Sequence, residues 1–316
     1  MKVVILGAGR MGCAVGACMK LAGDEVILCD AYKEHIDKIN EKGLDWQIND
    51  EAPINIRFDR AVCRTDGIEA QDVAIVLTSG NDTDKVMEMA MGNVIGPDTY
   101  VVTFQNGLGH TDKLQKYVDV DRILYGMLKL GGWMNEPGFV KTLVHPVCCV
   151  VIGSVRQEEK ADTMAALIAE HIQTGGIISA FHKDIEYVVW EKVLNNCAFN
   201  PLCSLTRSRM KNVIAGEHGR PVMIEVVREV VAVANAKGIA LEFEKAMDFI
   251  DNQSLVNLGN HFPSMTYDVR DKRRTEIDFL NGTISRYGKE LGVPTPVNDM
   301  ITLLMKTLED GYDEGF

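Results

Sequence analysis

The chain opens with Lys2-Val3-Val4-Ile5-Leu6 followed by Gly7-Ala8-Gly9-Arg10-Met11-Gly12, and this stretch decides the fold. The β-branched run predicts a buried strand, and the small apolar residues from Cys13 to Leu21 predict a closely packed helix. Glycines spaced Gly-x-Gly-x-x-Gly between a strand and a helix are typical of a dinucleotide-binding turn. In such a turn Gly7 makes the bend, Gly9 admits a pyrophosphate, and Gly12 lets helix and strand pack. The alternative is a structural turn without a ligand.

A second strand runs from Glu25 to Cys29, and Asp30 at its end follows Gly12 by 18 residues. An acid at this distance is expected to bind the ribose hydroxyls of the adenosine. Its charge would repel a 2′-phosphate, which favours NAD over NADP by a factor on the order of a hundred. Two alternatives stay open, because Asp30 could cap the next helix and Lys33 could contact a 2′-phosphate.

Strands and helices alternate through the first 183 residues, which predicts a parallel sheet with right-handed crossovers. Within this part, residues 122 to 155 mix short β-branched runs with glycines and predict antiparallel additions to the sheet. We therefore expect an α/β chain with a Rossmann-type dinucleotide-binding domain at 1–183. The helical substrate and catalytic domain, all-α, is expected at 184–316.

From Asp184 onward the 3.6-residue period dominates, and the first helix of this half is expected to bend at Pro201. The predicted helices run over 185–204, 221–237, 241–252, 271–291 and 297–308. Because these helices are rich in apolar residues, a homodimer through this half is an expectation.

The composition excludes several classes of protein. The 316 residues carry a net charge of −12 and are 46% hydrophobic and 25% charged, which is typical of globular domains and not of disordered chains. The acidic balance argues against a nucleic-acid partner and against an anionic membrane surface. No run approaches the roughly 20 apolar residues of a membrane span, and no signal peptide is evident.

Eight cysteines occur without a Cys-x-x-Cys pair, which indicates a reducing compartment, and a cytoplasmic location is expected. His145 precedes Cys148 by three residues, but no second pair at ligand spacing accompanies them, so no metal site is expected.

Three polar residues share one face of the first helix in the second half. Lys192, Asn196 and Asn200 are spaced four residues apart in Trp190-Glu191-Lys192-Val193-Leu194-Asn195-Asn196-Cys197-Ala198-Phe199-Asn200-Pro201-Leu202. Buried Asn side chains are costly unless they bind a ligand or a partner, and a Lys among them can protonate a developing alkoxide. The alternative is a solvated Lys with Asn side chains satisfied in the core.

A further polar segment comprises Phe262-Pro263-Ser264-Met265 and Asp271-Lys272-Arg273-Arg274-Thr275-Glu276-Ile277-Asp278-Phe279-Leu280-Asn281-Gly282. Glu276 lies between a basic cluster and an apolar helical stripe. We expect Glu276 to pair with Lys192 across a cleft. A surface charge run at the start of a helix is the alternative.

These segments together resemble the ketopantoate reductase (2-dehydropantoate 2-reductase) family over nearly the whole chain. The motifs that carry the resemblance are G-A-G-R-M-G at 7–12, Q-N-G at 105–107, W-E-K-V-L-N-N-C-A-F-N-P-L at 190–202, and P-S-M with R-R-T-E-I-D-F-L-N-G in 263–282. The resemblance implies a Rossmann domain, a helical domain and an active site between them.

The resemblance also implies residue roles. Lys192 would be the general acid that protonates the 2-oxo oxygen, and Glu276 would orient the catalytic groups and touch cofactor or substrate. Asn196 and Asn200 would bind substrate hydroxyl or carboxylate groups, and Ser264 the carboxylate. Asn106 would lie where the nicotinamide ribose and the substrate meet. The expected cofactor contacts are Gly7, Ala8, Gly9, Arg10, Met11, Gly12, Asp30, Thr78, Ser79, Asn106 and Glu276.

Two positions depart from the family pattern. Members that use NADPH commonly carry a basic residue where this chain has Asp30, and many carry a Lys where it has Thr78-Ser79-Gly80. Lys129 is a candidate replacement for that missing charge.

The expected function is therefore NAD(P)H-dependent reduction of a 2-oxo acid to a D-2-hydroxy acid, with 2-dehydropantoate first among the substrates. NADH is the favoured cofactor and NADPH an alternative. One alternative activity is an NADH-dependent D-2-hydroxy acid dehydrogenase for other branched or aromatic 2-oxo acids. A non-catalytic dinucleotide sensor is more distant, because a sensor needs no proton donor beside a carboxylate clamp.

Overall fold

The computed structural model describes residues 1–145, 147–255 and 259–314. The chain forms two compact units. Unit 1 comprises Met1–Gln105 and His110–Ile185, and unit 2 comprises Asn106–Gly109 and the chain from Glu186 onward. A four-residue loop that interrupts unit 1 in the sequence therefore belongs to unit 2, which no pattern in the sequence indicates.

Unit 1 holds all the strands described below. They are β1 (Lys2–Leu6), β2 (Glu25–Cys29), β3 (Leu44–Ile48), β4 (Ile54–Ile56), β5 (Arg60–Val62), β6 (Val73–Val76), β7 (Tyr100–Thr103), β8 (Ile123–Leu128), β9 (Gly131–Glu136), β10 (Phe139–Leu143), β11 (Val150–Ser154) and β12 (Ser179–Phe181). Its helices are α1 (Arg10–Leu21), α2 (Lys33–Lys42), α3 (Thr83–Ala90), α4 (His110–Leu114) and α5 (Glu159–Thr174).

The main sheet has eight strands in the order β12-β11-β8-β7-β6-β1-β2-β5. β1 pairs in parallel with both β2 and β6, so the predicted parallel sheet is confirmed. Successive residues of β1 point to opposite faces, and Val3 and Ile5 join one core cluster while Val4 and Leu6 join the other. The carboxyl ends of β1, β2 and β6 therefore lie side by side at one edge, where the candidate cofactor residues follow.

The prediction for residues 122–155 is only partly correct. β8 is parallel to β7 and β11 is antiparallel to β8, so both extend the main sheet. β9 and β10, however, form a separate four-stranded sheet in the order β4-β3-β10-β9. Trp46 of β3 and Val140 of β10 are fully buried in the same core cluster as α1, and Trp46 Nε1 donates to Thr142 Oγ1 at 2.9 Å. The sequence does not predict this sheet, because its central strands, β3 and β10, lie about 95 residues apart in the chain.

The regular elements in the described residues of unit 2 are all helical, as predicted. Its helices are α6 (Ile185–Thr206), α7 (Met210–Ile214), α8 (Gly219–Ala236), α9 (Phe243–Phe249), α10 (Ser264–Arg270), α11 (Asn281–Leu291) and α12 (Pro296–Asp310). In the described parts of the chain, no helix combines the length and the apolar character that a membrane crossing needs.

Two helix predictions in this half are wrong in extent. The helix predicted over 271–291 begins only at Asn281, after a 3₁₀ turn at Ile277–Phe279. Lys272 has a φ of 53°, outside the helical region, and Thr275 donates through N and Oγ1 to Glu309 Oε1 at 2.7 and 2.5 Å. This tertiary contact overrides the local helical pattern. The helix predicted over 241–252 is α9, and a π-helical turn at Ile250–Ser254 follows it.

Candidate active site

The glycine turn of unit 1 has the geometry that its sequence requires. Gly7 has a φ of +102°, and a Cβ there would lie 2.5 Å from Thr78 N. A Cβ on Gly12 would lie 1.9 Å from Gly7 O, so only glycine permits this packing. Gly9, the N-cap of α1, has no atom within 4 Å of its Cβ position. The turn is tight at two glycines and open at the third, where a pyrophosphate would approach.

Thr78 and Ser79 follow β6 beside this turn. Gln105 Nε2 donates to Thr78 O at 3.0 Å and to Thr83 Oγ1 at 2.9 Å, which fixes the loop. Thr78 Oγ1 is buried and has no hydrogen-bond partner among the described residues. The exposed Ser79 accepts from Asn81 N at 3.4 Å.

Asp30 is half-buried at the end of β2, and its Oδ1 accepts from Tyr32 N at 2.8 Å. The N-cap of α2 is Tyr32, and no side chain caps this helix, so Asp30 does not take the capping role. The bond from Tyr32 N uses one carboxylate oxygen and is compatible with a ribose contact through the other. Lys33 Nζ forms an exposed ion pair with Asp37 Oδ2 at 2.6 Å. The Asp37 carboxylate would therefore compete with a 2′-phosphate for the Lys33 ammonium. Lys129 is also exposed, and its backbone N donates to Cys149 O.

The residues of this edge fit a dinucleotide. α1 begins beside an open glycine, and the N-terminus of a helix favours an anion. Ala8 and Gly12 are buried, Gly9 and Met11 are half-buried, and Arg10 is exposed. The orphaned Thr78 hydroxyl next to the turn is a polar atom that a bound ligand would satisfy.

In unit 2, Lys192, Asn106 and Glu276 form a hydrogen-bonded line. Lys192 Nζ donates to Asn106 Oδ1 at 2.7 Å, and Asn106 Nδ2 donates to Glu276 Oε2 at 3.1 Å. An ammonium only donates and a carboxylate only accepts, so the two ends fix which way the Asn106 amide points. The sequence predicts that Lys192 pairs with Glu276. In the structure the Asn106 side chain lies between them and hydrogen-bonds to both.

The segments that carry this line are held by backbone contacts within unit 2. Gly107 has a φ of +97°, and a Cβ there would lie 2.3 Å from Phe279 O. Leu108 N donates to the same Phe279 O at 2.7 Å. Glu276 follows Thr275, which Glu309 of α12 holds. The loop at Asn106 is therefore bonded directly to the turn that follows Glu276.

The other predicted substrate residues lie in the same unit. Asn196 is half-buried and Asn200 is 4% exposed, both on α6 with the half-buried Lys192. Ser264 is exposed at the first position of α10. Ser204 Oγ lies 3.4 Å from Thr266 Oγ1 and donates to Asn200 O at 2.7 Å, which connects α10 to α6 near Asn200. The structure thus places Lys192, Asn196, Asn200, Ser264, Asn106 and Glu276 in unit 2 and the other predicted site residues in unit 1.

The charges around Glu276 are largely paired. Arg273 binds Asp268 at 2.8 Å and Asp271 at 2.7 Å, and Arg270 binds Asp271 at 2.6 Å. Hydrogen bonds from Arg270 and Arg273 lower the pKa of Asp271 to about 2. Arg270 and Arg273 therefore pair with acidic side chains of their own segment, whereas Lys272 Nζ donates to Tyr312 O at 2.7 Å.

Sequence reasoning missed three supporting residues. Gln105 holds the loop at Thr78, and His35 is fully buried, with Nε2 3.4 Å from Cys13 Sγ and Nδ1 accepting from Gly138 N at 3.0 Å. Cys13 Sγ in turn donates to Ala8 O at 3.1 Å inside the glycine turn. Glu309 is the third. Apart from the bond between Cys13 and Ala8, which lie five residues apart, these contacts join segments distant in the chain, so the sequence carries no local signal for them.

The chain is similar to known proteins along nearly its whole length. The family model of "Ketopantoate reductase PanE/ApbA" matches residues 3–147, and that of its C-terminal part matches residues 184–309. The 2-dehydropantoate 2-reductase of Lactococcus lactis subsp. lactis strain IL1403 is 28% identical over 322 residues, with 98% of each chain covered. That of Streptococcus pyogenes serotype M1 is 29% identical over 312 residues, again with 98% of each covered.

Solved structures agree. A ternary structure of D-mandelate dehydrogenase with NADH and anilino(oxo)acetate matches with a TM-score of 0.86 and 28% identity, covering 99% of each chain. A PanE/ApbA family ketopantoate reductase from Ralstonia eutropha JMP134 matches with a TM-score of 0.84 and 26% identity, covering 99% of this chain and all of that one. Sequence, fold and family models agree along nearly the whole length, and the chain belongs to the ketopantoate reductase family.

Proposed function

We propose that this protein reduces a 2-oxo acid to a D-2-hydroxy acid, with 2-dehydropantoate as the first substrate to test. The observation that carries the proposal is the line of Lys192, Asn106 and Glu276 in unit 2. A bound nicotinamide dinucleotide supplies the hydride that reaches C2 of the substrate. The names of the curated relatives, 2-dehydropantoate 2-reductases, support the choice of substrate.

Lys192 acts as the general acid in this proposal. As negative charge develops on the 2-oxo oxygen, the Nζ ammonium stabilises it and transfers a proton to it. Asn106 and Glu276 hold Nζ in one direction before the substrate arrives, so little reorganisation is needed during the reaction. Asn196 and Asn200 bind the substrate's polar groups, and Ser264 binds its carboxylate.

We also propose that NADH is the preferred cofactor, bound in unit 1 by residues 7–12, Asp30, Thr78 and Ser79. The half-buried Asp30 carboxylate supports this preference, because it lies at the end of β2 where a 2′-phosphate would bring like charge. The D-mandelate dehydrogenase structure that this chain resembles contains NADH.

A specific observation favours a second activity on the same scaffold. The loop after β6 reads Thr78-Ser79-Gly80 and has no cation, and the chain is 28% identical to D-mandelate dehydrogenase over 99% of its length. Aromatic or branched 2-oxo acids are therefore the second substrate class to test.

The decisive experiment follows the loss of nicotinamide absorbance with NADH and NADPH in separate series. Each series contains 2-dehydropantoate and a set of branched and aromatic 2-oxo acids. Turnover fastest with 2-dehydropantoate supports the first proposal, and turnover only with the other acids supports the second. Tight dinucleotide binding without turnover of any acid would contradict both and indicate a sensor.

The homodimer expected from the sequence stays a prediction. Met300, Leu303 and Leu304 of α12 are 58%, 62% and 47% exposed in a single chain, which supports this helix as the surface to examine. Sedimentation analysis of the wild type and of Leu303→Glu measures the state directly. A wild-type monomer would contradict the prediction.

A further inference from the structure

α6 continues through a proline, and this leaves one carbonyl without its usual donor. Pro201 lies inside the helix Ile185–Thr206. Proline has no N–H, so the hydrogen bond that residue 201 would give to Cys197 O is missing. Cys197 is fully buried, so water cannot easily replace that bond. The carbonyl needs a donor from elsewhere in the fold.

Asn281 supplies that donor. It is fully buried at the first position of α11, and its Nδ2 donates to Cys197 O at 3.2 Å. The same Nδ2 donates to Asn298 Oδ1 at 2.9 Å. One amide group thus satisfies a carbonyl of α6 and a side chain of α12 at once.

The direction of the Asn281 amide is set from a distance by Glu229 of α8. Glu229 is 9% exposed, and its Oε1 accepts from Val297 N at 2.9 Å. Its Oε2 accepts from Asn298 N at 2.9 Å and from Asn298 Nδ2 at 2.7 Å. Because a carboxylate only accepts, Asn298 turns its amide nitrogen to Glu229 and its oxygen to Asn281. Asn281 must then present its nitrogen to both neighbours.

The hydrogen bonds that run from Glu229 through Asn298 and Asn281 end at Cys197 O, between the two proposed substrate-binding Asn residues. Cys197 follows Asn196 directly, Pro201 follows Asn200, and all lie in the same helix as Lys192. Asn281 follows Glu276 by five residues and begins the helix after the Ile277–Phe279 turn. We propose that Asn281, oriented by Glu229 through Asn298, is a positioning residue that holds the proline-interrupted helix and its two substrate-binding Asn residues in register with Glu276. This inference rests on the proposed function for its effect on turnover.

A double-mutant cycle between Asn281 and Pro201 tests the inference. Asn281→Leu removes the donor, and Pro201→Ala restores an N–H that can reach Cys197 O inside the helix. The lost contact with Asn298 is the same in both backgrounds and cancels in the coupling. The cycle measures KM and kcat for the 2-oxo acid, the Kd for NADH, and the melting temperature.

In the wild-type background we expect Asn281→Leu to raise KM about tenfold, the size expected from one buried hydrogen bond. The Kd for NADH, which depends mainly on unit 1, should change little. In the Pro201→Ala background the rise in KM should fall to about threefold or less, and the loss in melting temperature should shrink in parallel. Equal effects of Asn281→Leu in both backgrounds would overturn the inference.

Asn235→Leu is the matched control. Asn235 Nδ2 also donates to two carbonyls, Val231 O and Leu241 O, each at 3.0 Å, but neither is next to a proline-freed position of α6. Its substitution should leave KM unchanged and show no coupling to Pro201→Ala. Coupling as large as that of Asn281 would show that Pro201→Ala stabilises unit 2 generally, and would also overturn the inference.

Glu229→Gln is a nearly isosteric second variant, in case Asn281→Leu does not fold. Gln presents one oxygen and one NH₂ group to three N–H donors, so it misdirects the Asn298 amide and, through it, Asn281. We expect a smaller rise in KM, of about threefold, with the same coupling to Pro201→Ala. No coupling here would contradict the orienting role. If the wild type turns over no 2-oxo acid, the proposed function fails, whereas the thermal coupling still tests the link between Asn281 and Pro201.

Discussion

The proposed site of unit 1 depends on the backbone, whereas the proposed site of unit 2 depends on side chains. In unit 1 the cofactor residues act mainly through the backbone, because Gly7 and Gly12 leave no room for a Cβ and Gly9 leaves open space. In unit 2 the proposed chemistry depends on side chains, since Lys192, Asn106 and Glu276 are joined through their terminal atoms. Ligand binding in unit 1 should therefore be weakened by substitutions that add atoms to a glycine. Catalysis in unit 2 should be weakened by substitutions that remove side-chain atoms.

The largest expected effect tests the side-chain site. Lys192→Ala should lower kcat by a factor on the order of 10² to 10⁴, the usual contribution of a general acid, and leave the Kd for NADH nearly unchanged. Steady-state kinetics and a fluorescence titration with NADH measure the two quantities. Lys211→Ala, at an exposed lysine of the same unit, is the control. A kcat within threefold of the wild type would refute the role of Lys192.

The next effect tests Asp30, the side chain on which we base the proposed preference for NADH. Asp30→Asn removes the charge but keeps an oxygen for Tyr32 N, so the local turn is preserved. The ratio of kcat/KM for NADH to that for NADPH should fall by about a hundredfold. Asp98→Asn, at an exposed site of the same unit, should leave the ratio unchanged. An unaltered ratio in Asp30→Asn would remove Asp30 from the cofactor site.

The backbone site is tested by adding one methyl group. Gly9→Ala places a Cβ where no protein atom lies within 4 Å, so the melting temperature should stay the same. The Kd for NADH should rise about tenfold or more, because the pyrophosphate can no longer approach the turn closely. Gly311→Ala, which also has no atom within 4 Å of its Cβ position, is the control in unit 2. Unchanged NADH binding in Gly9→Ala would place the dinucleotide elsewhere.

The smallest expected effect is a pH dependence of stability in unit 1. Burial lowers the pKa of His35, while the nearby Asp30 and Ala8 carbonyl oppose this shift more weakly. The unfolded chain takes up a proton near pH 6.5 that the folded chain resists, so the free energy of unfolding falls as pH drops below about 6.5. His35→Gln should reduce the difference in melting temperature between pH 7.5 and pH 5.5 by about 2 °C. His261→Gln, at an exposed histidine, should leave that difference as it is. An identical difference in His35→Gln would contradict the assignment.

The same contrast explains how much of the molecule the sequence predicts. The spacing of residues close in sequence predicts the Gly7–Gly12 turn, the parallel sheet and α6, and the structure confirms these elements. The line through Asn106, the small sheet around Trp46 and the end of the predicted helix at Thr275 depend on contacts between distant segments. Periodicity reports on neighbours along the chain, so it cannot show that Glu309 holds Thr275.

The assignment of Asn106–Gly109 to unit 2 has a consequence for how such genes recombine. A single crossover near codon 185 would join the Lys192 and Glu276 of one parent to the Asn106 of another. It would also take Gly107 and the Phe279 carbonyl that it closely approaches from different parents. An exchange of the complete unit 2 between relatives therefore requires two stretches of the gene, one of them only four codons long.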